Sequence, residues 1–171
     1  MTNLKVGDII VFKGDGSLYE VLSRALKLFE PSWDRWGWHT AFIATIKDGQ
    51  IYIAEALAKG VCVNPLSTYS KREYRAYRWL DAEPDRDKVM AFVREHRGDH
   101  YDVLCYIWTF VQRLVLKLSR GKVKLGYLKN DDYTCWEWVS FFCESFGKPW
   151  CEEINFPLLT DFLNQKPTQV L

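Results

Sequence analysis

The sequence has no long apolar run, no excess of either charge, no internal repeat and few histidines, and each shortage closes off a class of function. No stretch reaches the ~18 to 20 consecutive apolar residues that a membrane-spanning helix needs, because Gln112, Arg113 and Lys117 interrupt the longest candidate. Stable membrane insertion is not expected. Lys and Arg total 23 against 22 for Asp and Glu, so a net charge of +1 gives no electrostatic reason to expect a polyanionic partner, and nucleic acid is disfavoured. The opening MTNLKVGDII passes straight into a strand pattern, without a basic stretch, apolar run and small-residue cleavage site. A cytoplasmic location is the expectation, or release by another route such as host lysis if the chain is phage-encoded.

Cysteines stand at positions 62, 105, 135, 143 and 151, an odd number in a chain without an export signal, which argues against a disulfide framework. Cys135, Cys143 and Cys151 are spaced evenly by eight, but no short C-x-x-C pair of the kind found in structural zinc sites occurs. Neither a metal nor a cofactor is expected.

A chain of 171 residues with 48% hydrophobic content can bury a sizeable core as one domain, and residues 7–163 read as that domain, with 164–171 as a polar tail. Aromatic residues make up 16% of the chain, with eight Trp, more flat apolar surface than the core alone needs. Some of it is expected to line a cleft.

The run 7–13 reads as a strand closed by Gly14, Asp15 and Gly16, and Ser17 caps a helical pattern that Pro31 stops. Residues 31–38, with Trp33, Trp36 and Trp38, have no period and read as a loop. Thr40 to Ile46 and Gln50 to Ala54 favour β structure, with Lys47, Asp48 and Gly49 as a strong hairpin signal. Further strands are expected at 60–66 and 74–80. Helices are expected from Asp85 to near Gly98, from about Tyr101 to Leu118, from Cys135 to Phe146 and over 157–165, with a loop over 120–132. The fold class is α+β, a small and mostly antiparallel sheet or half-barrel packed against helices.

Cys135 opens a helix, where unpaired backbone N–H groups and the positive end of the dipole stabilise a thiolate. The other four cysteines fall within a strand, within apolar helices or in a loop, and read as inert. Of the three histidines, at 39, 96 and 100, the latter two flank Gly98 between predicted helices and read as solvated or capping. His39 opens a strand, where a sheet can hold its ring rigidly. A lone strand-end histidine is more often structural than catalytic; pairing with Cys135 is what favours the catalytic reading. Glu55, the only acid in IYIAEALA, is the candidate that orients the imidazole. A two-residue turn at Asp48 and Gly49 would pair residue 42 with 55 and 39 with 58, turning Glu55 and His39 to opposite sides. The pairing therefore requires an odd-length loop or a β-bulge. The alternative is that Glu55 pairs with Arg75 or Arg78 on a neighbouring strand.

Taken in order, GDIIVF, WHTAFI, IAEALAKGVCVNPL, HYDVLCY and YTCWEWVSFF resemble the circularly permuted branch of the NlpC-type papain-like hydrolases, the YiiX-like group, which is related to lecithin retinol acyltransferases. The resemblance implies a papain-like fold, circularly permuted so that the nucleophile follows its base, with Cys135, His39 and Glu55 as the catalytic set. It also implies an amide or ester substrate, a cell-wall peptide or small amino-acid conjugate first and a lipid acyl chain second. Tyr101 and Asp102 match a Tyr-Asp element of the family that lines the substrate site; the other reading is a helix N-terminal acid beside a core aromatic. The family commonly has Ser and Glu after the nucleophile, whereas Trp136 and Glu137 stand here, so Trp136 is expected on the pocket wall and Trp38 beside the cleft. A non-catalytic binding module on the same scaffold is the competing class.

Overall fold

Four consecutive residues of Ile9–Lys13, Ile9 to Phe12, have no solvent exposure, as expected of a strand enclosed on both faces rather than one alternating between core and water. This strand, β1, lies at the centre of an antiparallel sheet in a computed structural model that describes residues 3–14, 24, 27, 36–100, 108, 111, 115, 118–120, 122–123, 133–150 and 159–171. On one side of β1 runs β2 (Trp36–Lys47), followed by β3 (Gln50–Leu57) and β4 (Gly60–Pro65). On the other side lie β5 (Tyr74–Arg78) and β6 (Thr168–Gln169). The six-stranded order is β4-β3-β2-β1-β5-β6. Asp48 and Gly49 join β2 to β3 with φ of 50° and 74°, the positive pair that a tight type I′ hairpin demands.

Three helices are seen among the described residues: α1 (Arg86–Glu95), α2 (Cys135–Ser145) and α3 (Leu159–Asn164). Period-two alternation divides the sheet into two faces. Ile9, Val11, Phe42, Ala44 and Ala54 share one core cluster with Val89 and Val93 of α1 and Trp138, Val139 and Phe142 of α2. The Phe42 and Phe142 rings stack there at 3.7 Å with planes 9° apart, fixing α2 over β2. On the other face, Ile10, Phe12, Ala41, Ile43, Ile53 and Ala76 pack with Leu4 and with Leu66 from a 3-10 turn over Leu66–Tyr69.

The structure differs from the sequence reading at two edges. Residues 31–38 were expected as loop, but β2 already begins at Trp36, where pairing with Lys13 of β1 supplies a ladder that an aperiodic Trp-Gly segment does not announce. The polar tail contains β6, which pairs Gln169 with Tyr77, while the Ala76 N–H donates to the Leu171 carbonyl. The predicted helices before Pro31 and after Tyr101 fall largely outside the described residues, as does most of the 120–132 loop. No helix among the described residues is long and apolar enough to cross a membrane.

Candidate active site

His39 stands on β2 directly opposite Phe12 of β1, and its ring stacks on the Phe12 ring at 5.5 Å and 24°. Just beyond this pair the register slips, so that Lys13 faces Trp36 and residues 37 and 38 bulge out of the ladder. Glu55 comes from β3, opposite Cys62 of β4, and its side chain is wholly enclosed.

The face question raised by the hairpin is answered by a bulge. The turn does contain two residues and does pair Lys47 with Gln50, but the ladder jumps from Thr45↔Tyr52 to Ile43↔Ile53, leaving Ala44 as a surplus residue. Phe42 then faces Ala54 rather than Glu55. That shift by one turns His39 and Glu55 to the same side, and His39 Nε2 lies 2.6 Å from Glu55 Oε2. Neither suggested arginine takes Glu55: Arg78 binds both carboxylate oxygens of Asp8 at 2.9 and 2.8 Å, and Arg75 lies over the Trp36 ring at 3.9 Å.

Cys135 is the first residue of α2 and is fully buried. Thr134 caps the helix by accepting from the Glu137 N–H at 3.2 Å, and the Glu137 carboxylate accepts from the Thr134 N–H at 2.8 Å. This reciprocal capping box fixes where the first turn starts and leaves the Glu137 carboxylate committed to the backbone. The Cys135 side chain is hydrogen-bonded to His39. Nε2 is taken up by Glu55, which leaves Nδ1 as the ring nitrogen available to the sulfur.

The electrostatics follow from these contacts. Burial alone would push the His39 pKa down; hydrogen bonds to Cys135 and Glu55, with the charge on each, outweigh it and raise the value to about 9. Burial likewise pushes Glu55 up, but His39, Asn64 and Tyr69 overcome it and hold the carboxyl below its ordinary value. The arrangement favours an imidazolium between a sulfur and a carboxylate, the state a thiolate nucleophile requires.

Two members of this cluster were not anticipated. Asn64 Nδ2 donates to Glu55 Oε1 at 2.7 Å, and the Tyr69 hydroxyl lies 2.8 Å from both Glu55 oxygens. Asn64 is two residues beyond Cys62, hence diagonal to Glu55 on the same face, a relation visible only once the β3–β4 register is known. Tyr69 sits in a short 3-10 turn that leaves no periodic trace in sequence. The Thr134-x-x-Glu137 box, by contrast, is a sequence-level signature ahead of an apolar run.

The remaining candidates are distributed as follows. Trp38 is half-buried on β2. Trp136, next to Cys135 on α2, is 5% exposed and packs against Trp150 and Phe162 at 5.9 and 6.5 Å. Tyr101 and Asp102 lie outside the described residues, as do Cys105 and Cys151. His96 follows the end of α1 and bonds Asp99 at 3.0 Å, in keeping with a capping residue. Cys62 is held up in pKa by burial and by the nearby Glu55 charge, and Cys143 is buried on α2. A pocket between Lys5–Asp8, Arg78 and Leu80–Glu83 contains none of the Cys135 cluster. Among the described residues no three His, Cys, Asp or Glu side chains form a metal-binding group. No protein family matches the chain, and no curated protein matches it.

Proposed function

We propose that this chain is a cysteine-dependent hydrolase of the circularly permuted papain-like type, cleaving an amide through an acyl-thioester. The observation that carries the reading is the unbroken hydrogen-bonded chain from Cys135 at a helix N-terminus through His39 to Glu55. In the reaction, the Cys135 thiolate attacks the substrate carbonyl carbon and the His39 imidazolium stands beside it. The carbonyl oxygen takes up negative charge and is held by the Cys135 backbone N–H. Collapse breaks the C–N bond, with the Nδ1 proton passing to the leaving amine. Neutral His39 then takes a proton from water, hydroxide attacks the thioester, and the C–S bond breaks to release a carboxylic acid and restore the thiolate. Glu55 keeps Nε2 protonated and the ring oriented throughout.

Cell-wall peptides and amino-acid conjugates are the substrates that the resemblance suggests. A second reading, transfer of the acyl group to an acceptor other than water, rests on the resemblance to lecithin retinol acyltransferases.

Intact-mass measurement of acyl-enzyme formation with a thiol-directed acyl probe tests the reading. Wild type should be labelled once at neutral pH and Cys135→Ala not at all. Equal labelling of the two proteins rejects the assignment, and ligand binding without turnover that survives His39→Ala would favour a binding module instead.

A further inference from the structure

We propose that Tyr69 and Asn64 are positioning residues that hold Glu55 as an oriented anion and, through it, hold the His39 imidazolium against the Cys135 sulfur. The inference rests on the nucleophile reading above and extends it by two residues.

Glu55 is a wholly enclosed carboxylate, and such a charge is tolerated only where donors replace the water it has lost. Three groups do so: Asn64 Nδ2 at 2.7 Å on Oε1, Tyr69 Oη at 2.8 Å on both oxygens, and His39 Nε2 at 2.6 Å on Oε2. Oε1 accepts from the Asn64 amide nitrogen, a group that can only donate, and Tyr69 shares its single O–H between the two oxygens. An ionised carboxylate accepts from all three groups at once, whereas a protonated one would have to turn its own O–H onto Tyr69 Oη or take the place of the His39 Nε2 proton, which gives the wrong tautomer for a base whose Nδ1 must exchange a proton with sulfur. Asn64 and Tyr69 thus favour the anion.

Tyr69 acts at a second point. Its ring lies 4.8 Å from that of Phe12, and Phe12 in turn stacks on the His39 imidazole. One side chain thus bonds the acid through its hydroxyl and backs the base through its ring. Burial and the Glu55 charge both push the Tyr69 pKa up, so its hydroxyl stays protonated and remains a donor over the working range. Asn64 also reaches Cys62 Sγ at 3.4 Å, which fixes its amide in the plane between β3 and β4.

The test is the pH dependence of iodoacetamide labelling at Cys135, resolved from the other cysteines by peptide mass spectrometry, in the full-length protein and in Tyr69→Phe and Asn64→Ser. Wild type should show two steps, a low one where the thiolate–imidazolium pair forms and a high one where His39 loses its proton. In both variants the steps should move toward each other, by about one pH unit in total, so that the plateau between them narrows. Thermal melting run alongside shows that each variant is folded. Folded variants with wild-type step positions, or with labelling reduced equally at every pH, overturn this inference and leave the nucleophile reading standing. A wild-type profile with the single step of an ordinary thiol overturns that reading, and this inference with it.

Discussion

His39 and Glu55, sixteen residues apart in the chain, meet at 2.6 Å because β2 carries one residue, Ala44, that β3 does not match. The contact is polar, buried and charge-assisted, so removing one side of it has two separable effects. Glu55→Gln keeps the volume but removes the anion, and should lower the neutral-pH labelling rate of Cys135 by about 10²-fold or more while leaving the protein folded. Glu55→Ala also strands the donors of His39, Asn64 and Tyr69, and should destabilise the fold by roughly 3 to 5 kcal/mol. Labelling rates together with urea denaturation separate the two.

Stability should fall on both sides of neutrality, through different residues. His39 has its pKa raised from 6.5 to about 9 on folding, so its stabilising contribution is complete below about 6.5 and is lost as pH rises through about 9. Glu55 is shifted the other way, from 4.5 downward, so its contribution is present above 4.5 and disappears as pH falls below it. A melting-temperature profile across pH should show both shoulders. In His39→Ala the alkaline one should be gone.

The capping box predicts a link between helix stability and sulfur chemistry. Thr134→Ala removes the oxygen that accepts the Glu137 N–H, and should cost about 1 kcal/mol. It also frees the first turn that carries Cys135, so the labelling rate at neutral pH should drop further than the same loss of stability produces in a helix-end variant away from the site. Comparing Thr134→Ala with Asp85→Ala, the N-cap of α1, provides that control.

Gly60 is predicted to be intolerant of any side chain. Its φ is +97°, and a Cβ there would lie 2.6 Å from the Asp99 carbonyl oxygen, which also accepts the Val61 N–H at 3.0 Å. Gly60→Ala should therefore destabilise by about 1 to 3 kcal/mol in chemical denaturation. Gly49→Ala, at φ +74° but with nothing within 4 Å of the added carbon, should cost less.

Much of the sheet and its helices could be read from sequence because local chemistry fixes them. The Lys47-Asp48-Gly49 turn, the enclosed Ile9–Phe12 run and the helix opening at Cys135 each carry their own signal. The need for either an odd-length loop or a bulge between His39 and Glu55 also followed from counting residues around the turn, although nothing local pointed to Ala44 as its place. What stayed hidden depends on partners distant in the chain. β6 is two exposed polar residues that become a strand only by pairing with β5, and the packing of Trp136 on Trp150 and Phe162 joins rings that no local pattern links. Asn64 and Tyr69 belong to the same class, since each matters for what it touches.

The chain order of these elements has a consequence for biosynthesis. β1 to β5 occupy residues 9–78, and the sulfur follows at 135. On a ribosome His39 and Glu55 emerge well before Cys135, and the three meet only when α2 docks on the sheet. Under the proposed function, a translation product truncated before that helix would carry the imidazole and the carboxylate without the sulfur they serve, and would be inert.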